Sequence, residues 1–307
     1  MRITIVGAGA MGSLFGGMLS RVAEVCLLDP WAEHIAAIRR DGLRIEEPSG
    51  DVVAALEAAT DPSEVGPTDL AIIFVKSHRT QWASEMAARF LKPAGLALTL
   101  QNGIGNRDVI VRVLGEHRAW QGTTAHGATL LGPGHVRHAG SGLTHVENKP
   151  GLEEQIQEIA SLFGQAGIET HVSPDVDSLL WGKLVINVGI NALTALLRVR
   201  NGVLSEAEGP RALMERAVEE AVQVAHAKGV TLPYADPRQR VREVAVATGA
   251  NLSSMLQDVL RGSPTEIDVI NGVIVRQGRQ LGVPVPVNES LTALVKAVEE
   301  TYALRSE

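Results

Sequence analysis

Three polar side chains recur where apolar ones are expected. Lys183, Asn187 and Asn191 fall on every fourth position of Leu179–Leu197, a stretch otherwise made of apolar and small residues. Residues four apart share one face of a helix, so an ammonium and two amides line one side of an apolar rod. A buried polar group without a partner costs roughly 1–3 kcal/mol. The stripe must therefore meet either another polar element or a polar ligand. A desolvated lysine has its pKa pulled toward neutrality, and it can hand a proton to a carbonyl oxygen as hydride reaches the carbon. Amides beside it can fix hydroxyl and carboxylate groups. The stripe points to a substrate site for carbonyl reduction. An inter-helix network, or a lysine snorkelling at a domain edge, is the alternative.

A reductase needs a hydride carrier, and the N-terminus supplies a place for one. Gly7-Ala8-Gly9-Ala10-Met11-Gly12 matches G-x-G-x-x-G, directly after an apolar strand at Arg2–Val6 and at the head of a helix over 13–21. In that context Gly7 permits the tight turn, Gly9 lets the backbone approach a pyrophosphate, and Gly12 lets helix and strand pack closely. The helix N-terminus offers its free N–H groups to the anion. Asp29 stands at the end of the second strand, Glu24–Leu28. A carboxylate there accepts from the ribose 2′-OH and repels a 2′-phosphate, which favours NAD(H). Asp29-Pro30 also reads as a helix start, with aspartate as N-cap and proline at N1. Arg39, Arg40 and Lys76 are cations that would suit NADP(H) instead. Lys76 and Asn102 follow the third and fourth apolar strands, at the sheet edge where ligands bind in open parallel sheets.

These residues need a scaffold, and the pattern of the chain describes one. Strands at Arg2–Val6, Glu24–Leu28, 70–75 and 96–100 alternate with helices at 33–40, 81–90 and 108–114, with a β excursion over 43–56 and further strands over 119–128 and 135–145. Continuous apolar strands alternating with helices imply a mainly parallel, Rossmann-like α/β sheet covered on both faces. Beyond about residue 172 the strand signals end. Helices are expected over 178–197, 210–228, 238–248, 266–281 and 288–304, separated by Gly229, Pro233, Gly262-Ser263-Pro264 and Pro284-Val285-Pro286. The expected organisation is a dinucleotide-binding domain over 1–170 and an all-helical substrate domain over 171–307. At the head of the fourth of these helices, Thr265 and Asp268 approximate a capping box, and Glu266 in the first turn suits the helix dipole.

Composition narrows the function class. Of 307 residues 45% are hydrophobic but only 3% aromatic, so the cores are aliphatic. The net charge of −7 argues against a nucleic-acid surface. Cys26 is the sole cysteine, so an intrachain disulfide is excluded and a reducing, cytoplasmic location is expected. No cleaved signal peptide is expected, because glycines break the N-terminal apolar run. No membrane span is expected at 179–197, since lipid would penalise Lys183, Asn187 and Asn191. No metal site is expected, and a thiol mechanism is not, with Cys26 inside a strand. The long apolar C-terminal helices suit a homodimer and suit monomeric packing equally.

Taken together, GAGAMG at 7–12, VKS at 75–77, QNGIGN at 101–106, TTAHGA at 123–128, the K-x3-N-x3-N helix at 183–191, SSMLQD at 253–258 and TEIDVINGV at 265–273 resemble the ketopantoate reductase (2-dehydropantoate 2-reductase) family across nearly the whole chain. The resemblance implies NADP(H)-dependent reduction of 2-dehydropantoate to (R)-pantoate, for pantothenate and coenzyme A synthesis. It implies a helical domain similar to the C-terminal domain of 6-phosphogluconate dehydrogenase. Lys183 would match the general acid and Glu266 the glutamate near cofactor and substrate. Asn102, Asn187, Asn191, Asn201, Asn251 and Ser254 would match substrate-binding positions. Lys76, Asn102 and the backbone near Ala128 would match cofactor contacts. The chain departs from the family at Asp29-Pro30-Trp31, where NADPH-dependent members carry an arginine. That departure keeps a sibling activity in view, an NAD-dependent D-2-hydroxyacid dehydrogenase acting on another branched or aromatic 2-keto acid. A non-catalytic dinucleotide sensor is the remaining reading.

Overall fold

The computed structural model describes residues 1–304, so positions 305–307 of the expected helical domain lie outside the described residues. The chain forms two compact units. The first comprises residues 1–101 and 105–176, and the second comprises 102–104 with the chain from Asp177 onward.

In the first unit the elements run β1 (Arg2–Val6), α1 (Ala10–Leu19), β2 (Glu24–Leu28), α2 (Ala32–Asp41), β3 (Leu43–Glu47), β4 (Gly50–Ala54), β5 (Glu57–Ala59), β6 (Thr68–Ile73), α3 (Thr80–Ala88), β7 (Leu91–Thr99), α4 (Asn106–Leu114), β8 (Ala119–Thr124), β9 (Gly127–Gly132), β10 (His135–Gly140), β11 (Thr144–Glu147), α5 (Glu153–Gln165) and β12 (Thr170–Ser173). An eight-stranded sheet has the order β12-β11-β8-β7-β6-β1-β2-β5. It is parallel except where β11 meets β8. The strands are apolar at consecutive positions because both faces are covered. Ile3, Ile5, Leu70, Ile72, Leu96 and Leu98 pack with Leu14 and Phe15 of α1 and Ile159 and Phe163 of α5. The alternate residues Val6, Ala71, Ile73 and Ala97 pack with Ala83 and Ala87 of α3 and Ile110 of α4. The β excursion at 43–56 becomes the β3–β4 hairpin of a second sheet, ordered β4-β3-β10-β9. Two strands expected between residues 119 and 145 are in fact four, because turns at 125–126, 133–134 and 141–143 divide them. Helix α5 and strand β12 were not anticipated.

The second unit is helical: α6 (Val176–Leu197), α7 (Val203–Glu206), α8 (Glu208–Ala227), α9 (Pro237–Ala247), α10 (Ser254–Leu260), α11 (Asn271–Leu281) and α12 (Pro286–Glu300). Helix α6 is long and apolar enough to cross a membrane, but 67% of its most apolar window is buried in the protein. Trp181, Leu184, Val185, Val188 and Leu193 sit in a core with Met214, Val218 and Val241. Gly189 lets the helices approach closely: a Cβ there would lie 2.8 Å from both Val218 and Val241.

The expected helix over 266–281 is interrupted. Ile267–Val269 make a single 3-10 turn, Ile270 breaks it at φ −108° and ψ −92°, and α11 begins only at Asn271. The capping box is absent. Thr265 Oγ1 accepts from the Ile267 N–H at 3.2 Å, and Asp268 pairs with Lys296 at 2.6 Å instead. Glu266 therefore heads a 3-10 turn and does not sit in the first turn of an α-helix.

Candidate functional site

The glycine loop joins β1 to α1. Gly7 has φ +101°, and a Cβ on it would lie 2.7 Å from the Val75 backbone nitrogen. A Cβ on Gly12 would lie 1.9 Å from the Gly7 carbonyl oxygen. Packing alone thus explains both glycines. It does not explain Gly9, which has φ −67° and ψ −166°, open to any residue. A Cβ there would meet nothing within 4 Å. Gly9 and Ala10 are half-buried, and no side chain caps the N-terminus of α1. The loop therefore keeps clear the ground that a phosphate would occupy at a helix N-terminus, so the residues fit a dinucleotide. Ala8 and Gly12 are buried and Met11 is half-buried.

Asp29 is half-buried at the end of β2. Its Oδ2 accepts from the Ala8 N–H at 2.8 Å and its Oδ1 from the Trp31 N–H at 2.9 Å. The N-cap role expected for Asp29 does not form. Helix α2 starts at Ala32 with Trp31 at the cap position, leaving Pro30 outside the helix. The carboxylate instead ties the strand end to the glycine loop, with lone pairs left for a ribose hydroxyl. Arg39 and Arg40 form exposed ion pairs with Glu64 and Asp41 respectively. Lys76 is half-buried just past β6, at the head of a short 3-10 turn over Ser77–Arg79. Ala128 is half-buried in β9, opposite His138 of β10.

The second unit gathers the polar stripe. On α6, Lys183 and Asn187 are half-buried and Asn191 is buried. Lys183 keeps some exposed surface, yet its ammonium is crowded by protein. That desolvation lowers its pKa to about 8, against the Glu266 carboxylate, which raises it. Glu266 is buried at 7% exposure, and its Oε2 accepts from Asn102 Nδ2 at 3.5 Å. Asn102 reaches this place because residues 102–104 dock on the Glu266–Val269 turn. The Ile104 N–H donates to the Val269 carbonyl at 3.3 Å. Gly103 has φ +82°, and a Cβ there would lie 2.4 Å from the same oxygen. Gly103 went unrecognised in sequence, although an N-G pair after a strand is a turn signal.

The remaining predicted residues lie around α7 and α10. The Asn201 N–H donates to the Asn251 carbonyl at 3.1 Å. Asn201 Nδ2 donates to Thr248 Oγ1 at 2.9 Å, while its Oδ1 is buried and lacks a partner. Asn251 and Ser254 are exposed. Ser253 caps α10, its Oγ accepting from the Leu256 N–H at 3.1 Å, which leaves the Ser254 hydroxyl outside the cap. Thr194 of α6 donates to Ser253 Oγ at 2.7 Å. That bond ties the end of α6 to the start of α10, a link the sequence did not reveal. The arrangement offers an ammonium poised to give up a proton, a carboxylate beside it, and several amides and hydroxyls suited to a small oxygen-rich acid.

Family models, relatives and solved structures match this chain over most of its length. Residues 3–151 match the family model described as ketopantoate reductase PanE/ApbA, and residues 175–299 match that of its C-terminal domain. A 2-dehydropantoate 2-reductase of Halobacterium salinarum is 39% identical over 302 residues, covering 97% of this chain and 99% of the relative. The crystal structure of a PanE/ApbA family ketopantoate reductase from Ralstonia eutropha superposes with a TM-score of 0.92 at 38% identity, covering 98% of this chain and 99% of that one. A ternary structure of D-mandelate dehydrogenase with NADH and anilino(oxo)acetate superposes with a TM-score of 0.91 at 32% identity, covering 99% of this chain and 100% of that one.

Proposed function

The chain belongs to the ketopantoate reductase family, and from that premise we propose that it reduces the 2-keto group of 2-dehydropantoate to give (R)-pantoate, with Lys183 as proton donor. The observation that carries this reading is the grouping of Lys183, Glu266 and Asn102 in a chain 39% identical over its length to a 2-dehydropantoate 2-reductase. A nicotinamide dinucleotide, when bound, supplies the hydride. The backbone at Gly7–Gly12 receives its phosphates, the Asp29 carboxylate accepts from its ribose, and Lys76 and the strand around Ala128 contribute further contacts. Lys183 Nζ–H donates to the 2-oxo oxygen and surrenders its proton as negative charge develops there. Glu266 holds the ammonium protonated until that moment and orients the Asn102 amide. Asn187, Asn191, Asn201, Asn251 and Ser254 hold the substrate's hydroxyl and carboxylate.

A second reading shares this chemistry. Asp29-Pro30-Trp31, which puts a carboxylate at the end of β2, favours NADH. The likeness to D-mandelate dehydrogenase supports a bulkier branched or aromatic 2-keto acid. Steady-state kcat/KM for NADH and NADPH, each with 2-dehydropantoate and with an aromatic 2-keto acid, separates the readings. The first expects 2-dehydropantoate to be preferred at least tenfold. The reverse order moves the assignment to the sibling activity, and cofactor binding without turnover of either acid leaves a sensor. The proposal includes a cytoplasmic location, since Cys26 is unpaired and buried. It involves neither nucleic acid nor membrane as partner. A homodimer is compatible with it, to be read by light scattering.

A further inference from the structure

The side chain of Trp31 has an unusual setting for a surface tryptophan. It keeps 37% of its surface exposed. Its indole lies parallel to the His34 imidazole, with ring centroids 4.9 Å apart and 9° between planes. His34 is fully buried. Its Nδ1 accepts from the Gly134 N–H at 3.0 Å, so Nε2 carries the proton and faces Ser13 Oγ at 3.2 Å. The Ser13 hydroxyl donates to the Ala8 carbonyl at 2.9 Å. The Trp31 N–H donates to Asp29 Oδ1, and Asp29 Oδ2 returns to the Ala8 N–H. The indole is thus backed by a fixed ring and anchored to the glycine loop through both its backbone and its stacking partner. Trp31 comes two residues after Asp29, the carboxylate suited to the adenosine ribose.

We propose that Trp31, backed by His34, is the stacking platform for the adenine ring of the dinucleotide. The proposal rests on the reading of Gly7–Gly12 as a dinucleotide site. An adenine laid on the indole continues the stack that His34 begins, and an aromatic face takes a base without needing hydrogen bonds. Stacking of this kind is worth about tenfold or more in affinity. Together with Asp29, the platform lets the chain hold adenosine without a 2′-phosphate.

The test is calorimetric titration of the intact protein with NADH, ADP-ribose and reduced nicotinamide mononucleotide, using the wild type, W31F and W31L. W31L keeps apolar packing but lacks a ring to stack. W31L is expected to bind NADH and ADP-ribose about tenfold more weakly and W31F within about twofold of wild type. Mononucleotide binding, which involves no adenine, is expected to stay unchanged. ADP-ribose is expected to quench wild-type tryptophan emission, and the quench to shrink in W31F. Wild-type affinity of W31L for ADP-ribose overturns the platform while leaving the dinucleotide site standing. Failure of the wild type to bind either NADH or ADP-ribose overturns both.

Discussion

Replacing Lys183 with methionine is expected to abolish turnover and to stabilise the fold at neutral pH. The lysine's pKa falls from 10.5 to about 8 in the folded protein, because burial outweighs the attraction of Glu266. A base whose folded pKa is depressed binds its proton more tightly when unfolded, so protonation favours unfolding. The penalty is complete below about pH 8 and fades between about 8 and 10.5. At about 1.4 kcal/mol per tenfold change, it is roughly 3 kcal/mol at pH 7. Methionine has similar length and no charge, so K183M removes the penalty, and its Tm at pH 7 is expected to exceed that of wild type by several degrees. The margin is expected to shrink as pH rises toward 10. The same pKa shapes the kinetics. The proton donor must be protonated, so kcat/KM for keto-acid reduction is expected to be level below pH 8 and to fall about tenfold per unit above it. K183A is expected to lose about 10²–10⁴-fold in rate while still binding cofactor. Differential scanning calorimetry from pH 6 to 10 and a pH–rate profile read both effects. A K183M Tm at or below wild type at pH 7, or a reduction rate unchanged from pH 7 to 9.5, refutes the reasoning.

Other expectations follow from single residues. Gly9→Ala meets no neighbour within 4 Å, so it is expected to keep the wild-type Tm while losing dinucleotide affinity by titration. Gly12→Ala, with its Cβ 1.9 Å from the Gly7 oxygen, is expected to destabilise by about 1–3 kcal/mol or more in urea unfolding. Gly103→Ala forces a side chain onto the Val269 carbonyl at a positive φ. By displacing Asn102 it is expected to raise KM for the keto acid and to weaken cofactor binding, both read by steady-state kinetics and titration. His34 is held below its ordinary pKa by burial, opposed by Asp29. Its contribution to stability is therefore present above about pH 6.5 and lost as pH falls below it. H34Q is expected to flatten that acid limb in thermal melts.

Much of the fold was legible because its signals are local. Apolar runs such as Leu70–Ile73 mark buried parallel strands, and the stripe on α6 declares itself by a spacing of four. The tertiary overrides were not legible. Nothing near Thr265 announces that the expected helix breaks at Ile270, where residues 102–104, from far away in the chain, meet the Val269 carbonyl. Asp29-Pro30 satisfies the local rule for a helix start, yet the carboxylate turns to Ala8, a partner 21 positions earlier. Helix α10 is too short to show periodicity, so Ser253 as its cap and Thr194 as its tether emerged only from the structure. Trp31 shows the same limit: only its stack on His34 distinguishes it from any other exposed aromatic.

The proposed chemistry moves hydride to C2 of 2-dehydropantoate while Lys183 protonates the oxygen. The most direct measurement is the fate of deuterium from a reduced nicotinamide cofactor carrying deuterium at both C4 positions, followed by NMR and chiral analysis of the product. (R)-pantoate carrying the label at C2 is predicted with the wild-type protein, and the same labelled product formed about 10²–10⁴-fold more slowly with K183A. Product without label, product of the S configuration, or labelled product formed at the wild-type rate with K183A would contradict it.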